Sequence, residues 1–242
     1  MKKILVLVLL AATFNNLKAQ DVVYDENAEV RNVESFTGVE VSGTISLYLS
    51  QGSENAVAIS AGDSKYNSKI KTEVHNGVLK ISVDGGLWNG MGWANRKLKA
   101  YVSIINPTSL NISGASFLSI NGIIKSDALK LGISGASEFK GALDVAQFNL
   151  DISGASVARI SGAAKNALID ASGACKVNAY DLLAESSKTN ASGASTIRIS
   201  ATKELSASAS GGANIYYRGD PQTVNINSSA GASIKKRSSG DD

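Results

Sequence analysis

The chain has 242 residues, of which 43% are hydrophobic (AVILMFWYC), 6% aromatic and 19% charged, with 23 glycines and 2 prolines. Charged residues fall below the ~25% of an average globular chain, but the ordinary hydrophobic content excludes a disordered protein. Glycine does not recur at every third residue, so collagen is excluded as well. The composition indicates a β-rich chain with many tight corners.

Residues 1–19 have the pattern of a secretory signal peptide. Lys2 and Lys3 precede the apolar run ILVLVLLAA, which is followed by a polar stretch. This run is far shorter than the ~20 apolar residues of a transmembrane helix, so we expect export, cleavage before Gln20 and no integral membrane segment in the mature chain. Loss of Lys2, Lys3 and Lys18 leaves 21 basic and 21 acidic residues. A mature net charge of zero argues against a nucleic-acid partner.

Residues 20–107 predict an N-terminal β region that contains a degenerate first repeat around Gly43. Strand-like runs follow at 56–60, 69–74, 78–83 and 97–105. The tripeptide His75-Asn76-Gly77 predicts a hairpin turn between two of them. We therefore expect a hairpin-rich N-terminal region that covers the first open edge of the repeats.

The segment GLWNGMGWAN, residues 86–95, carries both tryptophans of the chain, Trp88 and Trp93. If exposed, these two indoles would form a platform on which sugar rings stack. The alternative is that they cover the end or the side of the repeat region. They are the first candidates for ligand binding.

Residues 108–236 consist of a short motif repeated in tandem, most often Ser-Gly-Ala-Ser. We number each repeat from the second residue of the motif, called position 0, and successive zero positions are 18 to 21 residues apart. Position 0 is occupied by Gly114, Gly135, Gly154, Gly173, Gly193, Gly211 and Ala230.

Hydrophobic residues recur at even positions on both sides of this motif. Position −4 holds Leu110, Leu131, Leu150, Ile169, Thr189, Ala207 and Ile226. Position −2 holds Ile112, Ile133, Ile152, Ala171, Ala191, Ala209 and Ser228. Positions +4 and +6 are mostly apolar too, whereas the odd positions carry polar residues. Each repeat is thus predicted to contain two strands, joined at a glycine corner, with one face inside.

This pattern predicts an all-β fold: a parallel β-helix, or β-solenoid, with rungs of about 19 residues. We expect a right-handed coil, the usual sense of parallel crossovers. The last repeat is more polar, as a capping repeat would be, and residues 237–242 form a polar tail.

Two outward columns are candidate binding surfaces, because equal positions in neighbouring rungs lie side by side. Position −3 holds Asn111, Gly132, Asp151, Asp170, Asn190, Ser208 and Asn227. It could bind calcium through Asp151 and Asp170 or hold sugar hydroxyls, or it could be a hydrogen-bonded ladder or solvated surface. Position +5 carries Arg159 and Arg198, the second candidates for ligand binding. They could contact an acidic glycan or an anionic partner, or simply be solvated cations that discourage sheet stacking.

Four motifs in chain order together resemble one family. They are Gly-Val-x-Val-Ser-Gly, Leu-Ser-Gln-Gly, Asn-Gly-Val-Leu-Lys-Ile-Ser and the serial Ser-Gly-Ala-Ser corners. That family is the putative autotransporter adhesin, head GIN-domain family, a group of secreted β-helix proteins common in Bacteroidetes. The resemblance covers residues 31–234. It implies an envelope or secreted β-helix with an adhesive role and carries over no catalytic residue.

The sequence offers little material for catalysis. His75 is the only histidine and lies in a predicted turn, and Cys175 occupies the place of a repeated serine. We expect no metal site, no cofactor and a non-enzymatic surface protein that binds a glycan or an envelope partner. The alternative is a polysaccharide lyase or hydrolase, for which Asp151 and Asp170 with the basic column are the available groups.

Overall fold

The structure, a computed structural model, describes residues 25–83 and 98–238. It is 68% strand and 3% helix and forms a β-solenoid of about 7 turns, with rungs about 19 residues apart. The predicted all-β solenoid is confirmed. The strands are β1 (Glu29–Arg31), β2 (Gly38–Val41), β3 (Ile45–Gln51), β4 (Ala56–Ala61), β5 (Ile70–His75), β6 (Val78–Val83), β7 (Leu98–Ile104), β8 (Ser109–Ile112), β9 (Phe117–Ile133), β10 (Glu138–Ile152), β11 (Val157–Ala171), β12 (Lys176–Ala191), β13 (Thr196–Ala209), β14 (Asn214–Arg218), β15 (Thr223–Ser228) and β16 (Ser233–Lys236).

Strands β8 to β16 pair in parallel, and each repeat lies on the preceding one in the predicted register. At position −4, residues of successive rungs are direct partners across the sheet, beginning with Leu110 beside Leu131 and ending with Ala207 beside Ile226. Side chains at even positions point inward. In the described part of the chain they form one hydrophobic core that runs through the solenoid.

The corners stack through both their backbones and their inner side chains. Gly154 has φ +77°, and the Ala155 amide donates to the Gly135 carbonyl of the preceding rung at 2.8 Å. Inside the corner, the Ser137 hydroxyl donates to the carbonyl of Ser134 at 2.8 Å. The same side-chain bond recurs at Ser116 and Ser195, whereas the last two rungs carry alanine at this place.

The N-terminal region begins with antiparallel strands, as the hairpin prediction required. Strands β5 and β6 form an antiparallel pair around Asn76 and Gly77, both of which have positive φ. Strand β4 lies antiparallel to β7, and β1 lies antiparallel to β4. A 3₁₀ helix, Ser64–Lys69, connects β4 to β5.

The first rungs do not follow one another in chain order. The rung around Gly43, formed by β2 and β3, is paired on one side with β6 and β7 and on the other with β8 and β9. The later strands β6 and β7 thus lie outside the earlier pair, between it and the antiparallel strands. Within residues 25–83 and 98–238, no helix is long and apolar enough to span a membrane.

Candidate binding surfaces

A long concave surface lies outside the strands that precede the corners. It is a groove of about 730 Å³ that runs across the rungs, lined by side chains at positions −3 and −1. We call it the polar groove. Its lining includes Glu40, Asn111, Ser113, Gly132, Ser134, Asp151, Ser153, Asp170, Ser172, Asn190, Ser192, Ser208, Ser210, Asn227 and Ser229.

The position −3 column forms the charged centre of this groove. Asp151 and Asp170 are direct partners on neighbouring strands. The Asn190 amide nitrogen donates to Asp170 Oδ1 at 2.6 Å, and Lys130 Nζ lies 3.6 Å from Asp151 Oδ2. The structure therefore supports the ladder interpretation for part of this column, because both carboxylates have protein partners.

The serines at position −1 form a second column along the groove. The sequence pattern did not point to them, although each is the first residue of a motif copy. Their amides bond to the preceding rung, as in Ser153 N to Ile133 O at 2.8 Å. This backbone bond places one hydroxyl per rung along the groove.

These groups do not form a metal cluster. Among residues 25–83 and 98–238, no three His, Cys, Asp or Glu side chains are close enough to hold an ion together. In the groove, the Lys130 ammonium beside Asp151 adds positive charge to the aspartate pair, which opposes calcium binding there.

Arg159 and Arg198 lie on a different surface, on the strands that follow the corners. Both are in the position +5 column, with Asn178 between them in the register. The Arg159 guanidinium forms an ion pair with Glu138, and Arg198 lies 5.6 Å from the ring centre of Tyr216. The corner separates these arginines from the polar groove.

At its N-terminal end, this second surface continues as an aromatic cluster. The rings of Tyr48 and Tyr101 stack with centroids 5.5 Å apart, and Phe117 meets Tyr48 edge-on at 6.4 Å. Tyr48 occupies position +5 of the Gly43 rung, a signal that could have revealed the cluster. The Tyr101 hydroxyl donates to Asp25 at 2.8 Å, and burial together with this bond raises the pKa of Tyr101 to about 12.

The first candidates for ligand binding, Trp88 and Trp93, lie outside the described residues, as does the predicted signal peptide.

Neither His75 nor Cys175 is placed as a nucleophile or base. His75 is exposed in the β5–β6 hairpin, with Nε2 3.5 Å from Glu73. Cys175 is 2% exposed, and its thiol donates to the Ser172 carbonyl at 3.0 Å. Burial raises the pKa of this thiol, which disfavours the reactive thiolate. Cys175 thus replaces one inner serine of the corner column.

The protein is a stacked parallel coil with a polar groove on one surface and basic and aromatic groups on another. This arrangement defines a β-solenoid scaffold with repetitive outer faces. The chain belongs to the family described as putative auto-transporter adhesin, head GIN domain, whose profile matches residues 35–221. The resemblance noted in the sequence is thereby confirmed.

Solved structures share this fold at low sequence identity. A putative adhesin from Bacteroides fragilis is 18% identical, with TM-score 0.81, over 87% of this chain and 96% of that one. A putative adhesin from Parabacteroides merdae is 16% identical, with TM-score 0.69, over 87% and 95%. A putative lipid binding protein from Parabacteroides distasonis is 19% identical, with TM-score 0.66, over 88% and 97%. No curated protein matches the sequence.

Proposed function

We propose that this protein is an exported, non-enzymatic adhesin-like scaffold whose polar groove binds a glycan chain of a cell surface or envelope. The observation that carries the proposal is the continuity of the groove, which presents hydroxyl, amide and carboxylate groups from successive rungs. Adhesin family membership supports a binding role at a surface.

The chemistry of the groove favours a hydroxylated ligand. Neighbouring rungs repeat at the ~4.8 Å spacing of paired strands, so serine hydroxyls recur at a distance comparable to the length of one sugar residue. Aspartate side chains accept hydrogen bonds from sugar hydroxyls, and asparagine side chains both accept and donate them. One related fold is named a lipid binding protein, whereas the proposal for this chain rests on the polar side chains that successive rungs present along the groove.

A glycan array on the purified protein, followed by groove variants, tests the proposal. Asp170→Ala with Asn190→Ala removes two adjacent polar groups of the groove and should weaken binding about tenfold or more, the loss expected for charge-assisted hydrogen bonds. The matched control, Lys176→Ala with Asn178→Ala, changes two outward side chains of the other surface and should leave groove binding unchanged. Equal binding by both variants would contradict a ligand in the groove.

The basic column supports a second mode of binding. Arg159 and Arg198 can offer bidentate contacts to carboxylates or sulfates of an acidic glycan, which lysine cannot reproduce. If the array selects acidic glycans, Arg159→Lys with Arg198→Lys should weaken binding, whereas the groove variants should not.

The competing function is that of a polysaccharide lyase or hydrolase, which the adjacent Asp151 and Asp170 make worth testing. Incubation of the array-selected polysaccharide with the protein would reveal new reducing ends or unsaturated sugars. Cleavage that is lost in Asp151→Asn would establish an enzyme and overturn the non-enzymatic proposal.

Export follows from the predicted signal peptide at residues 1–19. Mass spectrometry of the protein recovered from the extracytoplasmic fraction of its host should give an amino terminus at Gln20. Recovery of an uncleaved chain from the cytoplasm would contradict export.

A further inference from the structure

The last described rung of the solenoid has strand edges that no other described strand covers. Within the described part of the chain, β15 pairs with β13 alone and β16 with β14 alone. Val224 and Ile226 on β15 are 41% and 47% exposed. Two core positions of the last described rung are therefore partly exposed to solvent.

Both residues occupy positions whose side chains are buried in the preceding rung. Val224 lies beside Leu205, and Ile226 lies beside Ala207. Leu205 and Ala207 are 0% and 1% exposed because the next rung covers them. The same difference applies to the backbone: the Ala209 carbonyl accepts a bond from the Ser229 amide at 3.0 Å, while the far edge of β15 faces no described strand.

The two ends of the solenoid differ in how their edges are protected. At the N-terminal end, the outer strand β5 carries exposed Lys71 and Glu73, and the outer strand β1 is only three residues long. Charged and short edge strands discourage association. At the C-terminal end, β16 is also short and carries Lys235 and Lys236, whereas β15, with the sequence TVNINS, has no charged residue and no proline.

We infer that β15 pairs with β15 of a second copy of this chain, antiparallel and around a two-fold axis near Ile226. Such pairing places Asn225 opposite Asn227 of the other copy and keeps Val224 and Ile226 on the inner side of the joined sheets. Because β15 is uncharged, self-pairing brings no like charges together. A two-fold arrangement also closes the assembly at a dimer instead of a fibre.

This inference does not rest on glycan binding and is tested by the oligomeric state. Sedimentation equilibrium of the purified protein should give twice the mass of one chain. Ile226→Lys should give the mass of a single chain, because it places two cations across the axis. The control Leu183→Lys makes the same kind of change at a residue 60% exposed on the side of the coil and should leave the dimer intact.

Charged substitutions at Asn225 and Asn227, which face each other in the proposed dimer, test the antiparallel register. This test does not depend on the inward residues Val224 and Ile226. Asn225→Asp with Asn227→Asp sets carboxylates opposite each other and should dissociate the dimer. Asn225→Lys with Asn227→Asp sets opposite charges together and should retain it. A monomeric natural protein, or a dimer that survives both Ile226→Lys and the double aspartate change, would overturn the inference.

Discussion

Gly154 lies directly against Gly135 of the preceding rung, so closely that a Cβ atom added to Gly154 would come within 2.3 Å of the Gly135 carbonyl oxygen. The glycine at this corner thus serves two purposes. It permits the positive φ, and it allows the backbones of successive corners to stack.

Substitution of this corner glycine should separate the two effects. Gly154→Ala should lower the free energy of unfolding by more than the ~1–2 kcal/mol that left-handed backbone costs an alanine. Gly122→Ala is the matched control, because Gly122 also has positive φ (+86°) but has no heavy atom within 4 Å of an added Cβ. Urea unfolding should give the larger loss at Gly154, and equal losses would show that stacking contributes nothing.

The inner column should respond strongly to loss of volume. Ile152 is 2% exposed between Ile133 and Ala171. Ile152→Ala should therefore cost ~2–4 kcal/mol of unfolding free energy. Ile152→Asp should prevent folding of the central rungs, as seen by circular dichroism. Ile123→Ala, at a residue 54% exposed, should change stability little.

The buried cysteine should be unreactive in the folded protein. A thiol reagent at neutral pH should modify Cys175 only after denaturation, because the thiol is covered and its pKa is raised by burial. Cys175→Ser should keep stability within about 1 kcal/mol of the natural protein, since a hydroxyl can donate to the same carbonyl. Cys175→Val should lose ~1–3 kcal/mol by leaving the Ser172 carbonyl unpaired. Rapid modification of the native protein would contradict this arrangement.

The Asp25 cluster should make stability depend on pH in acid. Burial raises the pKa of Asp25, but four donated hydrogen bonds outweigh it and hold the pKa below its usual value. The donors are Tyr101, Lys99, Ser60 and the Asn27 amide. Because the pKa of Asp25 is lower in the folded state than in the unfolded state, its ionised form stabilises the fold at pH values above the unfolded-state pKa. This stabilisation is lost as the pH falls through the folded-state pKa.

Asp25→Asn should therefore be less stable than the natural protein at pH 7, and the difference should shrink towards pH 2. Tyr101→Phe removes one donor and should reduce the same pH dependence, whereas Tyr48→Phe keeps the cluster and should not. In alkali, the raised pKa of Tyr101 predicts stability that is present below pH 10 and lost as pH rises through about 12. Chemical unfolding across this pH range measures both effects.

The two tryptophans remain predicted ligand contacts. If they stack on sugars, Trp88→Ala with Trp93→Ala should abolish glycan binding while keeping the melting temperature within a few degrees. Unfolding of the double variant would show that the indoles are core or cap residues. A folded variant that still binds would leave the polar groove as the better site.

Much of this architecture follows from the sequence alone. The even spacing of Leu131, Ile133 and Phe139 around a glycine, repeated about every 19 residues, determines a strand, a corner and a second strand in each rung. Identical short units can bury their apolar faces only by stacking, so period and register follow from local pattern.

Other features depend on how the strands meet in space. The sequence placed Gly43 in a first rung, but it could not show that β6 and β7 would lie outside that rung, because pairing between distant strands depends on the total area they bury. Nor could it show that Asp151 would pair with Lys130 or that Tyr48 would stack on Tyr101. The exposure of Ile226 could not be predicted either. A side chain's position in a repeat indicates which way it points, whereas its contacts depend on which rung lies beside it. Only the tertiary structure decides that.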